Sequence, residues 1–299
     1  MKSALKFLVV LAVLACVGWL RMPFEQRLSL DLTEAHLLSP SFDRESRASL
    51  SQKGFVASFG SLRPMLAAFT ALSTTKHHGN NDWENLEQAI ETTVLLDPYN
   101  GYYWDLGAWH LAYNASTSSL ENDGLAPLQA KQLFEEYIHK GDNLYTRGIA
   151  ANPNDIQLRL ERARLWSSRH KIEDYPKVAQ ILRTTLSECE LSLRQRQRIR
   201  ADLFYTLLRI PQRVNEAYIL GRELYEESAQ NHFPSLLNGL CALQMHPWVK
   251  VDDPLSLPQL YSSRTDAIKH LGNYLNDNDS HKPRYGVQDL LDRVSSVDH

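Results

Sequence analysis

From residue 55 onward, apolar side chains recur every three or four positions, and no long run alternates at two. That spacing belongs to helices with one buried face, because 3.6 residues complete a turn. The Asn-Gly and Asp-Gly turns that join short β-branched runs into hairpins are missing. A chain built this way is confined to helix-on-helix packing. With 299 residues, 43 % of them apolar, it can bury one large core or a stacked array.

The helix ends are written in the sequence. Asp82 caps "WENLEQAIETTVLL", whose apolar face is Trp83, Leu86, Ala89 or Ile90, and Val94, and Asp97-Pro98 ends it. "GYYWDLGAWHLAYN" follows, with Tyr103, Leu106, Gly107, His110 and Tyr113 or Asn114 as its expected inner face. Gly107 costs about 1 kcal/mol relative to alanine inside a helix, so something must pack closely there. "ASTSSLENDGLAP" reads as a loop. The helix that begins near Pro127 must be long or broken to reach Asn152-Pro153. Further helices carry Leu160, Ala163 and Trp166, then the Asp174-capped stripe Tyr175, Val178, Ala179, Leu182 and Leu186, then Ile199, Leu203 and Leu207 ending at Pro211. "VNEAYILGRELYEE", "SLLNGLCALQM", "RTDAIKHLGNYLND" and "VQDLLDRVSS" are the remaining helices, and the proline-rich "HPWVKVDDPLSLPQLYSS" is an ordered loop.

The amino terminus differs in kind. Lys2 and Lys6 precede an unbroken apolar run at residues 7–20, closed by Arg21 and Pro23. With Lys6 reaching toward the headgroups, residues 4–20 are just long enough to span a bilayer, and Trp19 and Arg21 suit its interfacial end. A cleaved signal peptide and a lipoprotein signal acylated at Cys16, after "VLA", are the alternatives. All three place the body outside the cytoplasm. The expected organisation is an anchor at 1–22, a membrane-proximal spacer at 23–54 with a short helix near 30–38, helical repeats at 55–246, and a loop with capping helices at 247–299. Localisation follows as a single-pass envelope protein with a cytoplasmic amino terminus and a body facing the periplasm.

The helices come in pairs. One member carries a small residue with a large ring three places on, Gly107 with His110 and Ala163 with Trp166, and Asp-Pro or Asn-Pro often stands before it. This resembles the tetratricopeptide repeat, a helix–turn–helix unit with the pattern W-x₂-L-G-x₂-Y. "YYWDLGAWH" matches its first half, "DYPKVA" and "VNEAY" its entry into the second helix, and "LLDPYN" and "AANPND" its inter-repeat turn. The prolines at 98 and 153 stand farther apart than one such repeat, so the repeats are divergent and carry insertions. The resemblance implies an all-α, right-handed solenoid of antiparallel helix pairs that binds a protein or peptide in a concave groove lined by first helices. It makes Asp105, Trp109, Arg159 and Arg162 the candidate partner-binding residues, as solvent-side positions of those helices.

Motifs for nucleotide binding, metalloprotease and serine hydrolase chemistry are missing. His77-His78 with Asp82 offers a weak metal pairing without a third strong ligand nearby, and a solvated loop is the simpler reading. His110 lies among Trp109, Tyr113 and Asp105, where a general base would need a positioned partner; a packing histidine is the simpler reading. "RQRQRIR" at 194–200 is the densest basic patch, either a solvated face or a surface for anionic headgroups or an acidic partner. The net charge of −3 argues against nucleic acid. Cys189 and Cys241 beside Cys16 form no disulfide framework. The expectation is a membrane-tethered scaffold for an envelope protein or peptide, with no cofactor, no metal, no catalytic residue and no small-molecule substrate. An exported helical enzyme with a pocket near His110 and a lipoprotein of an assembly machine are the alternatives.

Overall fold

A computed structural model describes Arg27 and residues 62–296. The segment read as an anchor at 1–22, Cys16 and, apart from Arg27, the spacer at 23–54 lie outside the described residues. Among the described residues every regular element is helical and none is a strand, as the apolar period demands. No described helix is long and apolar enough to cross a membrane. The chain divides between Asn152 and Pro153 into two compact units, inside the stretch read as one array at 55–246.

In the first unit, α1 (Arg63–Gly79) turns back as α2 (Trp83–Leu96). The pair is antiparallel: Arg63 near the start of α1 donates to the Leu95 carbonyl at 3.2 Å, and Thr93 Oγ1 donates to Thr70 Oγ1 at 2.9 Å. Asp82 caps α2 through the Asn85 amide, and Asn100 caps α3 (Gly101–Trp109) through that of Tyr102. The chain then stays helical through a π-helical stretch, His110–Ala115, into α4 (Ser116–Leu120). The expected loop therefore begins later than the sequence indicated. Its serines fit a helix because Ser116 Oγ donates to the Ala112 carbonyl at 2.5 Å and Ser119 Oγ to that of Ser116 at 2.6 Å. The helix from Pro127 is long rather than broken, running as α5 (Pro127–Ala151).

Glycines set how closely these helices meet. A Cβ on Gly107 would lie 2.5 Å from Ile90 Cγ2 of α2, and one on Gly148 of α5 would lie 2.7 Å from Trp104 Cβ. One on Gly141 would lie 2.5 Å from Ala112 Cβ and 2.8 Å from the Ala108 carbonyl oxygen. Gly107 thus packs against helices. The buried face of α3 is Trp104, Gly107 and Ala108, continued by Leu111, Ala112 and Ala115, with Trp104 in the place expected of Tyr103. The Trp104 indole N–H donates to the Pro98 carbonyl at 2.7 Å, so the larger ring is buried with its polar atom satisfied.

The second unit contains α6 (Ile156–Trp166), α7 (Tyr175–Glu188), α8 (Leu193–Leu207), a 3₁₀ turn at Pro211–Arg213 and α9 (Val214–Glu227). A second 3₁₀ turn at Ala229–Asn231 leads to α10 (Pro234–Gln244), followed by α11 (Leu257–Leu260), α12 (Arg264–Asn276) and α13 (Val287–Ser296). The one-turn α11 lies inside the proline-rich segment read as a loop. Asp155, Asp174, Ser192 and Ser263 cap α6, α7, α8 and α12 with their side chains, and Ser192 completes a capping box with Gln195. Arg200 of α8 meets Glu223 at 2.9 Å and Glu227 at 2.5 Å across the antiparallel α8–α9 pair. Phe204, 0 % exposed, lies where a Cβ on Gly221 of α9 or Gly239 of α10 would stand 2.5 or 2.9 Å from its ring.

Gly272 in α12 is the opposite case, since a Cβ there meets nothing within 4 Å. Gly272→Ala is expected to stabilise the second unit by about 0.5–1 kcal/mol, through helix propensity and a less free unfolded chain. A rise of a few degrees in thermal melting checks it, and a fall would show a neighbour that the packing does not contain.

Candidate functional site

In the first unit the aromatic residues and histidines gather where α1 ends and the π-helical stretch begins. The His110 ring lies 5.1 Å from that of His78 and 5.1 Å from that of Trp109, and His78 in turn lies 5.7 Å from Trp83. π-Helical turns often mark functional positions. Here the turn holds His110 7 % exposed, with the Asn114 side-chain amide 3.1 Å from its Nδ1. Burial, and secondarily the neighbouring His78, push the His110 pKa down to about 4. The ring is therefore neutral at neutral pH. No carboxylate of a described residue reaches it: Asp105 instead accepts from the Tyr145 hydroxyl at 2.9 Å. His77 and Asp82 do approach, at 3.2 Å, while His78 turns to the rings. Among the described residues no three His, Cys, Asp or Glu side chains gather as a metal would require.

This histidine yields a pH prediction. Its folded pKa lies below the unfolded value near 6.5, so between about pH 4 and 6.5 the unfolded chain binds the extra proton. Stability should be flat above that window and fall as pH drops through it, by about 2–3 kcal/mol in all. His110→Asn should remove this loss from the melting-temperature profile of the full chain. An unchanged profile would mean that the ring is already protonated or solvated.

The four residues expected to meet a partner fall on both units. Asp105 is half-buried and Trp109 is 46 % exposed in the first. In the second, Arg162 is half-buried on α6. Arg159 does not take the solvent-side position expected of it: it is 7 % exposed, donating to the Pro153 carbonyl at 3.1 Å and to Glu188 Oε2 at 3.0 Å. A carboxylate and a carbonyl at the base of α6 make burial of its guanidinium tolerable.

The concave feature of the second unit lies elsewhere. Arg198, Asp202, Tyr205 and Arg209 follow one another at spacings of four, three and four, forming one stripe along α8 and just past its end. Leu160, Ala163 and Arg164 of α6, with Ser167 just past its end, form the matching stripe, and Tyr175, Val178 and Leu182 of α7 line the same hollow. The three helices enclose a hollow of about 330 Å³. A second hollow of about 500 Å³ shares Tyr205 and Arg209 with it and continues past Pro234, Ser235 and Asn238 of α10 to His270 and Tyr274 of α12. Tyr205 and Arg209 are the side chains common to both; the groove is the first hollow, between α6 and α8.

Its charges are unequally committed. Arg209 Nε lies 2.8 Å and Arg169 3.4 Å from Asp279, a carboxylate 2 % exposed. Burial alone would raise the pKa of Asp279, but Arg209, the His281 amide and Lys282 outweigh it and hold the group below the usual range. Lys282 pairs with Asp277, and Arg164 pairs with Glu161 at 2.7 Å. No side-chain hydrogen bond or ion pair joins Arg198 to another described residue, although its charge acts on Asp202. Asp202, half-buried on the same stripe, has its pKa raised by burial against the pull of Arg198 and Arg164.

Arg198 belongs to the basic patch at 194–200, whose arginines the sequence does not tell apart. The structure divides it: Arg200 goes to α9, Arg196 donates to the Leu186 carbonyl at 3.4 Å, and Arg198 lines the hollow. The i, i+4, i+7, i+11 recurrence of polar residues from Arg198 to Arg209 was the available signal. No protein-family model, no curated protein and no solved structure matches this chain.

Proposed function

We propose that this chain is a membrane-tethered helical scaffold of tetratricopeptide type, whose helix pairs stack as a right-handed solenoid and whose second unit holds a segment of an envelope protein. The carrying observation is the groove walled by one stripe of α6 and one of α8. Its size falls in the range of ligand-binding clefts. Its walls in the first hollow offer arginine, tyrosine, one aspartate and small apolar surfaces, and neither histidine nor cysteine. The arginines stay charged at any working pH and suit holding a ligand, while Asp202, whose pKa burial raises, is the wall carboxylate able to take a proton. The tight glycine contacts of Gly107, Gly141 and Gly221 support the stacking, because helix pairs that bury little alone must lean on neighbours.

Chemical crosslinking in native membranes, followed by mass spectrometry, tests the reading. A recurrent protein partner linked to residues 160–209 is expected, on chains that retain residues 1–20. Release of the intact body without detergent, with no protein linked to it, would remove both tether and scaffold.

A further inference from the structure

Resting on that reading, we infer that the segment held in the groove is acidic, and that Arg198 is the residue that anchors one of its carboxylates. The first hollow is lined by Arg164, Arg169, Arg198 and Arg209 and by the carboxylate of Asp202, with Glu161, Asp277 and Asp279 paired to three of these arginines. Three of these arginines already have anionic partners: Arg164 has Glu161, and Arg169 and Arg209 share Asp279. Those pairs hold three guanidinium groups in place and largely cancel their charge, which leaves Arg198 as the wall cation best placed to meet an incoming carboxylate. Arg198 is exposed, on the same stripe, and without such a pair among the described residues. Its planar fork suits a carboxylate, which it can take with two parallel hydrogen bonds.

Asp202, one turn further along α8, is the opposing element. It faces Arg198 and Arg164 through the groove, so a ligand carboxylate entering there competes with it for the same cations. Two substitutions on one stripe should therefore act in opposite directions. Arg198→Gln removes the anchor, and Asp202→Asn removes the competitor. Loss of fold would weaken both variants alike.

The test is selection of a displayed random dodecapeptide library on the full-length protein, followed by fluorescence anisotropy of the selected peptides. The selected set should be enriched in Asp and Glu. Arg198→Gln should weaken binding about tenfold or more, the loss expected when a charge-assisted hydrogen bond is removed. Asp202→Asn should tighten it a few-fold, and added salt should weaken it. Peptides selected without an acidic excess, or bound equally well by Arg198→Gln, would overturn the inference and leave a peptide-binding groove standing. If no peptide is selected, and phosphatidylglycerol vesicles bind in a manner that Arg198→Gln abolishes, the groove serves lipid headgroups, and the inference and the scaffold reading fall together.

Discussion

Phe204→Ala should destabilise the second unit by about 3–5 kcal/mol, the usual cost of emptying a buried phenylalanine site. The ring is fully buried, and the residues around it leave no room to collapse inward. Gly221 and Gly239 have no side chains to move, and both sit in helices, α9 and α10, whose backbones are fixed by their own hydrogen bonds. Leu240 and Leu208 crowd the same two glycines. The cavity should thus stay open, and the lost transfer energy and the void should add. In a unit of this size, that corresponds to a fall of roughly 10 °C in melting temperature. Because the helix that carries Phe204 also carries the groove stripe, ligand binding should be lost at temperatures where the wild type still binds. A fall of only a degree or two would show that the ring is not the wedge between the three helices.

Gly141→Val should be worse still, with an expected loss of more than about 4 kcal/mol in the first unit, a size reserved for serious core disruption. The Cβ alone would stand 2.5 Å from Ala112 Cβ, 2.8 Å from the Ala108 carbonyl oxygen and 3.1 Å from the Ala112 nitrogen. Two of these are backbone atoms of the helix that runs into the π-helical stretch, so no rotamer change relieves the contact. The helices must separate, and with them Trp104 from Gly148. Gly141→Ala isolates the clash. Alanine improves helix propensity by about 1 kcal/mol, yet the contact exceeds that gain, so this variant should also be destabilised. Circular dichroism melting of the full chain measures both. If the alanine variant were more stable than the wild type, the close approach of α3 to α5 would be wrong.

Other positions were legible in the sequence. The glycine at 107 announced a close neighbour through its cost in a helix, and the neighbour is Ile90. Asp82 and Asp174 announced helix starts and serve as caps, because capping depends on residues three apart along the chain. Properties set by distant partners were hidden. Trp104 rather than Tyr103 faces inward because Pro98 and Gly148 receive it. Arg159 is buried because Glu188 and the Pro153 carbonyl await it. Serines at 116 and 119 looked like a loop and fold as helix because their hydroxyls find carbonyls one turn back. The groove was not legible: Arg198 stood out only within the basic patch at 194–200, and only the position of α6 and α7 makes its face, with Asp202 and Tyr205, concave.

The most direct test of the whole account places a photoreactive amino acid at Ser167, on the groove wall contributed by α6, and at the exposed Gln212 as a control. Irradiation of cells carrying each full-length variant should give a discrete protein adduct from position 167 that is absent from position 212 and lost when Arg198→Gln is added. Adducts that form equally from both positions, or from neither, would contradict the claim that this groove exists to hold another protein.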